Sequence, residues 1–197
     1  MKKTIAILAS FAVAVGAFAQ GKVTFGNGAT HPVTIDSRVD YAKGNATLAG
    51  TLAPQIGAPN DVLGLLTAQL LAGTSAGSLT LQATFAPAGQ AGFDPGILLN
   101  SAVTLTGVPA GPAFFQILLF ETTAGSFAAA SGGQNFWYGS TEVFSATAGS
   151  FAPTPLSSST GWPAGPIILS ANPIPEPSTF VLAGLGVASL LLFRRRK

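Results

Sequence analysis

The segment "AFFQILLFE", Ala113 to Glu121, decides the fold class of this 197-residue sequence. It is almost continuously apolar, interrupted only by Gln116 before it ends in a glutamate. A strand at the centre of a sheet, with other layers covering both of its faces, has this pattern. We therefore expect a central β-strand here that is buried on both sides.

Several other segments alternate between apolar and polar residues, which is the pattern of half-buried strands. In "SLTLQATF" the residues Leu79, Leu81, Ala83 and Phe85 share one face. Shorter examples are "KVTF", "PVTID", "AVTLTG" and "STEVFSAT", at 22–25, 32–36, 102–107 and 140–147. The segment "GLLTAQLLAG", 64–73, is long enough for a helix, but its bracketing glycines favour a strand that forms a hairpin with 78–85.

Many short strands between Gly- and Pro-rich turns, without a convincing helix, predict an all-β body. A β-sandwich or a jelly-roll-like fold would satisfy this pattern. The body, 20–170, has the size of one domain. The chain has no cysteine, so its stability must come from apolar burial and sheet hydrogen bonds, and a thiol nucleophile or thiolate metal site is excluded.

The N-terminus has the three parts of a secretory signal peptide in the expected order. Two lysines precede an apolar stretch, 5–18, which ends in a small-x-small site formed by Ala17 and Ala19. We expect a signal-peptide helix over 1–19 and cleavage by signal peptidase after Ala19. Gln20 is then the first residue of the mature chain.

The C-terminus has the pattern of a membrane anchor. Residues 178–193 are uncharged and mostly apolar, close to the lower limit of about 17 residues for a spanning helix. A proline-rich tether, 171–177, precedes this run, and a basic end follows it, composed of Arg194, Arg195, Arg196 and Lys197. We expect a C-terminal transmembrane helix over 178–193 with a cytoplasmic basic anchor over 194–197.

The distribution of charge supports this topology. Of the nine basic residues, only Lys22, Arg38 and Lys43 lie outside the two ends. Residues 20–177 carry these three cations and seven acids, a net charge of −4. Basic residues that flank membrane segments tend to stay cytoplasmic, which places the body on the opposite side of the membrane. A nucleic-acid partner would require a basic patch on the body, so we expect none.

The tail has a specific resemblance. Pro175, Glu176 and Pro177, followed by the apolar run and the basic end, resemble the PEP-CTERM sorting signal of Gram-negative bacteria. The resemblance covers 172–197 and implies that an exosortase, a membrane cysteine transpeptidase, recognises the tail and cleaves near the motif. It also implies a membrane-anchored precursor with a periplasmic body that later reaches the cell surface or the medium, in association with exopolysaccharide and biofilm.

Few side chains in the body are suited to catalysis. His31 is the only histidine, and no orienting acid is spaced for a triad with it. Glu121 and Glu142 could provide the carboxylate pair of a glycoside hydrolase. The simpler interpretation is that both are solvent-facing strand acids that keep sheet edges soluble. We therefore expect no catalytic residues and no enzyme activity.

A metal site has equally little support. Asp36 and Asp40 could join Asp61 or Asp94 in a loop-borne Ca²⁺ site, because Ca²⁺ needs several oxygen ligands. Their spacing is not that of an EF-hand loop. We expect no metal and no cofactor.

The segment "GGQNFWYGS", 132–140, places three aromatic residues together between glycines, Phe136, Trp137 and Tyr138. On a loop, these rings could stack on sugars. In a strand, alternate rings would enter the core and the tyrosine hydroxyl would reach water. Three function classes follow: a non-enzymatic surface or matrix protein, which we favour, a carbohydrate-binding module that uses this aromatic loop, and a secreted hydrolase.

An arginine at the centre of the apolar run tests the membrane span. It costs about 2.5–3.5 kcal/mol on insertion scales, and a run this short has little hydrophobic surplus. Gly186→Arg should therefore release the unprocessed precursor from membranes in cell fractionation. Glu176→Ala, which lies outside the run, should leave the precursor in the membrane. Retention of the arginine variant in the membrane would contradict the span.

Overall fold

A computed structural model describes residues 20–92 and 94–174 of the chain. The predicted signal peptide, 1–19, the PEP residues, 175–177, the span, 178–193, and the basic end, 194–197, lie outside the described residues. Among the residues that are described, no helix is long and apolar enough to cross a membrane.

The described part consists mainly of strands, which confirms the all-β class. Ten strands are present, β1 (Gln20–Phe25), β2 (Val33–Ile35), β3 (Leu66–Gly73), β4 (Thr80–Phe85), β5 (Ser101–Pro109), β6 (Gly111–Glu121), β7 (Trp137–Ser140), β8 (Phe144–Ala148), β9 (Thr154–Pro155) and β10 (Ile167–Ala171). The helices are short: α1 (Phe127–Gly132) and four 3₁₀ turns, Val39–Ala42, Leu63–Leu65, Thr122–Ala124 and Leu156–Ser158.

The strands form two sheets that share one hydrophobic core. The smaller sheet has the order β5-β1-β9. The larger sheet has the order β2-β10-β7-β6-β3-β4, with β8 as an additional partner of β6. Most neighbours are antiparallel, but β9 runs parallel to β1 and β2 runs parallel to β10. Two sheets on one core agree with the predicted all-β body, and the choice between a β-sandwich and a jelly-roll-like fold stays a prediction.

Strand β6 is central, as predicted from its sequence. It pairs with β3 from Phe114 to Glu121 along one edge. Its other edge is shared by β8, at 111–115, and β7, at 118–120. Alternate residues of β6 point into the shared core and are almost fully buried, namely Ala113, Phe115, Ile117 and Leu119.

The prediction that both faces of β6 are covered was only partly correct. Phe114, Gln116 and Leu118 on the outer face are only half-buried. The second sheet packs on the inner face, whereas on the outer face Phe120, near the end of the strand, is almost fully buried. The sequence looked continuous because three outer positions, Phe114, Leu118 and Phe120, are apolar although their face is partly open.

Strands β3 and β4 form the predicted hairpin, which excludes a helix at 64–73. The predicted inward face of β4 was only partly correct, because Leu81 is 54% exposed. The β3–β4 register shifts between Leu70 and Leu71, where Gln82 is an extra residue in β4 and disrupts the period of two. The Gln82 side chain binds both the N–H and the carbonyl of Thr106, at 2.7 and 3.3 Å, and so joins β4 to the smaller sheet.

The segment 140–147 is two strand parts rather than the single strand that was predicted. β7 ends at Ser140 and β8 begins at Phe144, and Thr141 fills the gap between them along β6. Its N–H donates to the Ile117 carbonyl, and its hydroxyl oxygen accepts from the Ile117 N–H, both at 3.0 Å. A side-chain oxygen thus replaces the missing backbone acceptor in a buried part of the ladder.

Removing the Thr141 hydroxyl should destabilise the body. Thr141→Val keeps the shape of the side chain but leaves a buried N–H of β6 without an acceptor, a loss of about 1–3 kcal/mol. Both tryptophans of the chain, Trp137 and Trp162, are buried, so their fluorescence during urea unfolding of the full chain in detergent reports on the body. Thr147→Val, at an exposed β8 position, is the matched control and should change the stability little. Equal stabilities of the two variants would contradict the role of Thr141.

Candidate functional site where the C-terminal tail leaves the body

Asn172 fixes the point at which the tail leaves the body. Its side-chain amide donates to the carbonyls of Ser131 and Gly133, at 2.7 and 2.9 Å. Its side-chain oxygen accepts from the Tyr138 hydroxyl at 2.8 Å, and its backbone carbonyl accepts from the Asn135 N–H at 2.9 Å. Four hydrogen bonds therefore hold the last residue before the proline-rich segment. The folded body extends to residue 172, two residues beyond the predicted boundary.

The acceptors for Asn172 are supplied by the end of α1. The helix begins at Ser126, whose hydroxyl accepts from the Ala129 N–H at 3.1 Å, as an N-cap does. The chain then turns tightly at Gly133, where an added Cβ would lie only 2.7 Å from the Ala129 carbonyl oxygen. Asn135 follows with a left-handed backbone, φ 61°, and donates to Asn172. The glycines and Asn135 thus bring this loop back to the end of β10.

The aromatic triplet belongs to the same structure and does not form an exposed loop. Trp137 opens β7 and is only 3% exposed, because its ring is part of the core. Phe136 and Tyr138 are half-buried. The Tyr138 ring packs edge-on against Phe127, with 6.3 Å between centroids, and its hydroxyl binds Asn172. The interpretation of Trp137 as a sugar-stacking loop residue was therefore wrong. Its ring enters the core as the strand alternative predicted, but the Tyr138 hydroxyl binds Asn172 instead of reaching water.

A largely buried ion pair lies next to the triplet. Glu121, the last residue of β6, accepts at Oε2 from Lys43 Nζ at 2.5 Å and from the Trp137 N–H at 3.1 Å. Its Oε1 accepts from the Thr123 hydroxyl at 3.1 Å. Lys43 Nζ also lies 5.2 Å from the centroid of the Trp137 ring. Glu121 is therefore not the solvent-facing acid that was predicted, because its oxygens hold the starts of two other segments.

A second ion pair lies beside the end of β10. Asp36 accepts at Oδ2 from Arg38 Nη2 at 2.6 Å and from the Ser170 hydroxyl at 3.0 Å. Its Oδ1 accepts from Arg38 Nε and from the Arg38 backbone N–H. The Arg38 guanidinium lies 3.7 Å from the centroid of the Tyr41 ring, so the pair also positions an exposed cation over an aromatic ring.

This environment makes the contribution of Asp36 depend on pH. Hydrogen bonds, foremost from the Arg38 side chain, hold the pKa of Asp36 well below its ordinary value of 3.8, against the smaller opposing effect of burial. Because the pKa in the folded state is lowered, the carboxylate stabilises the fold above pH about 4 and loses this contribution as the pH falls below that value.

An open cleft of about 210 Å³ lies at the base of the tail, beside Lys43 of the first ion pair. It is lined by Asp40, Lys43, Gly44, Asn135, Pro173 and Ile174. We call the surface formed by residues 38–44, Asn135 and 172–174 the exit corner. Two large apolar side chains are exposed on it, Val39 at 42% and Ile174 at 59%.

The remaining predicted acids are not brought together. Glu142 is exposed and lines a separate cleft beside Trp162. Asp61 accepts from the Gly64 N–H at 2.7 Å. Within 20–92 and 94–174, no three His, Asp or Glu side chains are grouped for metal binding. His31 contacts its neighbour Thr30 at 2.9 Å and packs against Trp162.

The predicted signal-peptide cleavage site lies directly before the first residue of β1, Gln20. Gln20 is exposed and is the first residue of β1, where it pairs with Pro109. Cleavage after Ala19 would therefore leave this strand complete. The cleavage-site residues Ala17 and Ala19 lie outside the described part, and the cleavage itself stays a prediction.

Sequence reasoning missed Asn172, Lys43 and Ser170 as members of one site. Their positions along the chain are far apart, and each is a common surface residue type. One signal was available: an asparagine directly before a proline is typical of a turn or a terminus. Nothing in the sequence shows that its partners are at 131–138, because that depends on β10 pairing with β7.

Asn172 can be tested through the free energy of unfolding. Asn172→Ala removes three side-chain hydrogen bonds and should lower it by about 1–3 kcal/mol. Tyr138→Phe removes only one of these bonds and should cost about 1 kcal/mol or less. Urea unfolding of the full chain in detergent, followed by tryptophan fluorescence, measures both. Equal costs for the two variants would show that the bonds to Ser131 and Gly133 contribute nothing.

Comparison with known proteins identifies the type of tail that follows this site. Residues 173–197 match the family model of the PEP-CTERM protein-sorting motif. No curated protein and no solved structure matches the chain. The motif indicates an exported protein that is made as a membrane-anchored precursor and sorted by an exosortase. The chain thus joins an all-β body to a PEP-CTERM sorting motif, and the motif begins at the residue that follows the hydrogen-bonded Asn172.

Proposed function

We propose that this chain is a non-enzymatic surface or matrix protein that an exosortase detaches from the inner membrane. The observation that carries the proposal is the junction at Asn172. The matched sorting motif starts at residue 173, directly after the last residue that the body holds by hydrogen bonds. The body and the tail therefore meet without a long linker. This arrangement suits a folded domain whose membrane anchor is removed by cleavage.

The arrangement of the acids supports a role without catalysis. Asp36 and Glu121 are engaged by cations and by hydroxyl or N–H donors, so each has a structural use. Glu142 faces solvent beside Trp162, apart from the Glu121 site. A glycoside hydrolase needs two carboxyl groups on either side of one substrate bond. The hydrolase alternative has no comparable support from this geometry.

The exterior supports a role in an extracellular matrix. Several solvent-facing strand positions carry hydroxyl groups, namely Thr80, Thr84, Thr104, Thr106 and Thr147. Charged residues make up only 8% of the chain. A surface rich in hydroxyl groups can form many weak hydrogen bonds with hydrated polysaccharide without strong long-range attraction. We therefore place the body in an exopolysaccharide or biofilm matrix after sorting. The carbohydrate-binding alternative lost its main argument when Trp137 proved to be buried.

The processing step divides the chain near Pro175–Pro177. The exosortase breaks a peptide bond close to the motif, the carbonyl on the body side passes to water or an amine, and the nitrogen on the tail side takes up a proton. The body then leaves the membrane, and the apolar run with its basic end stays behind. The body itself contributes position and shape to this step and no reacting group.

A change in the motif alone should block processing. Glu176→Ala leaves the apolar run intact, so the precursor should stay in the membrane fraction but should not be converted to the shorter form. Immunoblots with an antibody to the body, in a host that contains the exosortase, show both forms. Glu142→Ala, at an exposed body position, is the matched control and should be processed normally. Normal cleavage of the Glu176 variant would remove the sorting proposal and leave a plain membrane anchor.

A further inference from the structure

We propose that the exit corner is a second surface by which the exosortase contacts this protein, in addition to the PEP motif. The inference rests on the proposed function and concerns what the enzyme touches besides the tail. Three observations carry it: the short reach from Asn172 to the motif, the fixed orientation of that residue, and the side chains that surround it.

The short distance between Asn172 and the PEP motif brings the body close to any enzyme that binds the motif. From Asn172 to Pro175 the chain has three residue steps, which span at most about 10 Å when fully extended. A body of this size has a radius of gyration of about 15 Å. An enzyme that holds the motif in its active site must therefore have the exit corner against its rim. Other faces of the body are too far away to make this contact.

The four hydrogen bonds that hold Asn172 determine which side of the body lies nearest to the enzyme. The residue is held by its side chain on Ser131, Gly133 and Tyr138 and by its backbone on Asn135. The point at which the tail leaves the body, and the side chains around that point, are consequently fixed. A fixed exit presents the same surface in each encounter, which lowers the entropic cost of recognising it.

The corner offers side chains that suit a protein partner. Val39 and Ile174 are exposed apolar groups, Asp40 is an exposed acid, and Arg38 presents its stacked guanidinium, with 62% of the side chain exposed. Apolar and arginine contacts with a polar rim are typical of protein interfaces.

A lipid surface is the less suitable partner for the same corner. Both cations are matched by the carboxylates of Asp36 and Glu121. These two carboxylates lie beside the corner, and together with Asp40 they give three negative side chains against two positive ones. The corner therefore has no electrostatic attraction to anionic headgroups, whereas a protein surface can complement each charge individually.

Site-specific cross-linking tests the contact. The chain has no cysteine, so Asp40→Cys introduces a single labelling site on the corner. Asp94→Cys provides a matched control at an exposed acid. It lies close in sequence to Gly96, whose carbonyl accepts from the Val33 N–H, and Val33 is aligned with Ile167 at the opposite end of β10 from Asn172. Each full-length precursor is labelled with a benzophenone maleimide in membranes that contain a catalytically inactive exosortase, and is then irradiated. We expect a covalent adduct of the summed mass from position 40 and at least about fivefold less from position 94.

Two further variants show whether the adduct depends on the motif and on the short reach. Adding Glu176→Ala to Asp40→Cys should abolish the adduct, because the tail no longer holds the enzyme. Eight Gly and Ser residues inserted between Asn172 and Pro173 extend the reach by about 26 Å. The insertion should lower the adduct several-fold, while the active enzyme continues to process the chain. Tryptophan fluorescence confirms that each variant is folded.

The outcomes separate the two proposals. If the wild-type chain is not processed, or if Glu176→Ala is processed normally, the proposed function fails. If sorting proceeds through the motif but position 40 gives no protein adduct, gives only lipid adducts, or reacts no more than position 94, the corner contact is overturned and the proposed function stands.

Discussion

The structure depends on the pairing of β6 along both of its edges. One edge is matched to β3 over eight residues, and the other is divided between β8 and β7. The change from one partner to the next leaves a gap that Thr141 closes with its backbone and its hydroxyl. A buried strand cannot leave N–H groups without acceptors at that depth. This requirement fixes where β7 lies. β7 in turn positions β10 and Asn172, the residue that directly follows β10.

The same register explains why the exit corner is where it is. Since β6 ends at Glu121, its carboxylate reaches the N–H of Trp137 at the start of β7, and Lys43 reaches it from the turn after β2. β10 pairs with β7 at Tyr138 and Trp137, which places Asn172 beside the end of α1. The net charge around the corner is small because each of its two cations is paired with a carboxylate. Only 8% of the residues in the chain are charged, and these ion pairs use four of them to hold segments of the fold together. Removing either partner of the Lys43–Glu121 pair would leave a mostly buried charge without compensation.

Much of the fold follows from patterns that are local in the sequence. The β3–β4 hairpin and the strand at β6 could be predicted because apolar spacing and glycine turns are short-range signals. The exposure of Leu81 could not, since it depends on a bulge at Gln82 that is stabilised by Thr106 of the other sheet. The split of 140–147 into two strands likewise depends on the length of β6. The sequence told more about the tail than the structure did. The motif residues 175–177 lie outside the described residues, and the match of residues 173–197 rests on sequence alone.

The composition of the exit corner connects folding to sorting. The corner and the side chains that hold it come from residues 36–44, 121–138 and 170–174, which are distant along the chain and meet only when β2, β6, β7 and β10 are assembled. A completed body fixes Asn172, the residue from which the tail leaves, whereas an incomplete body would lack the partners of Asn172. The fold therefore defines the presentation of the motif through long-range contacts, and a local sequence motif cannot define it alone.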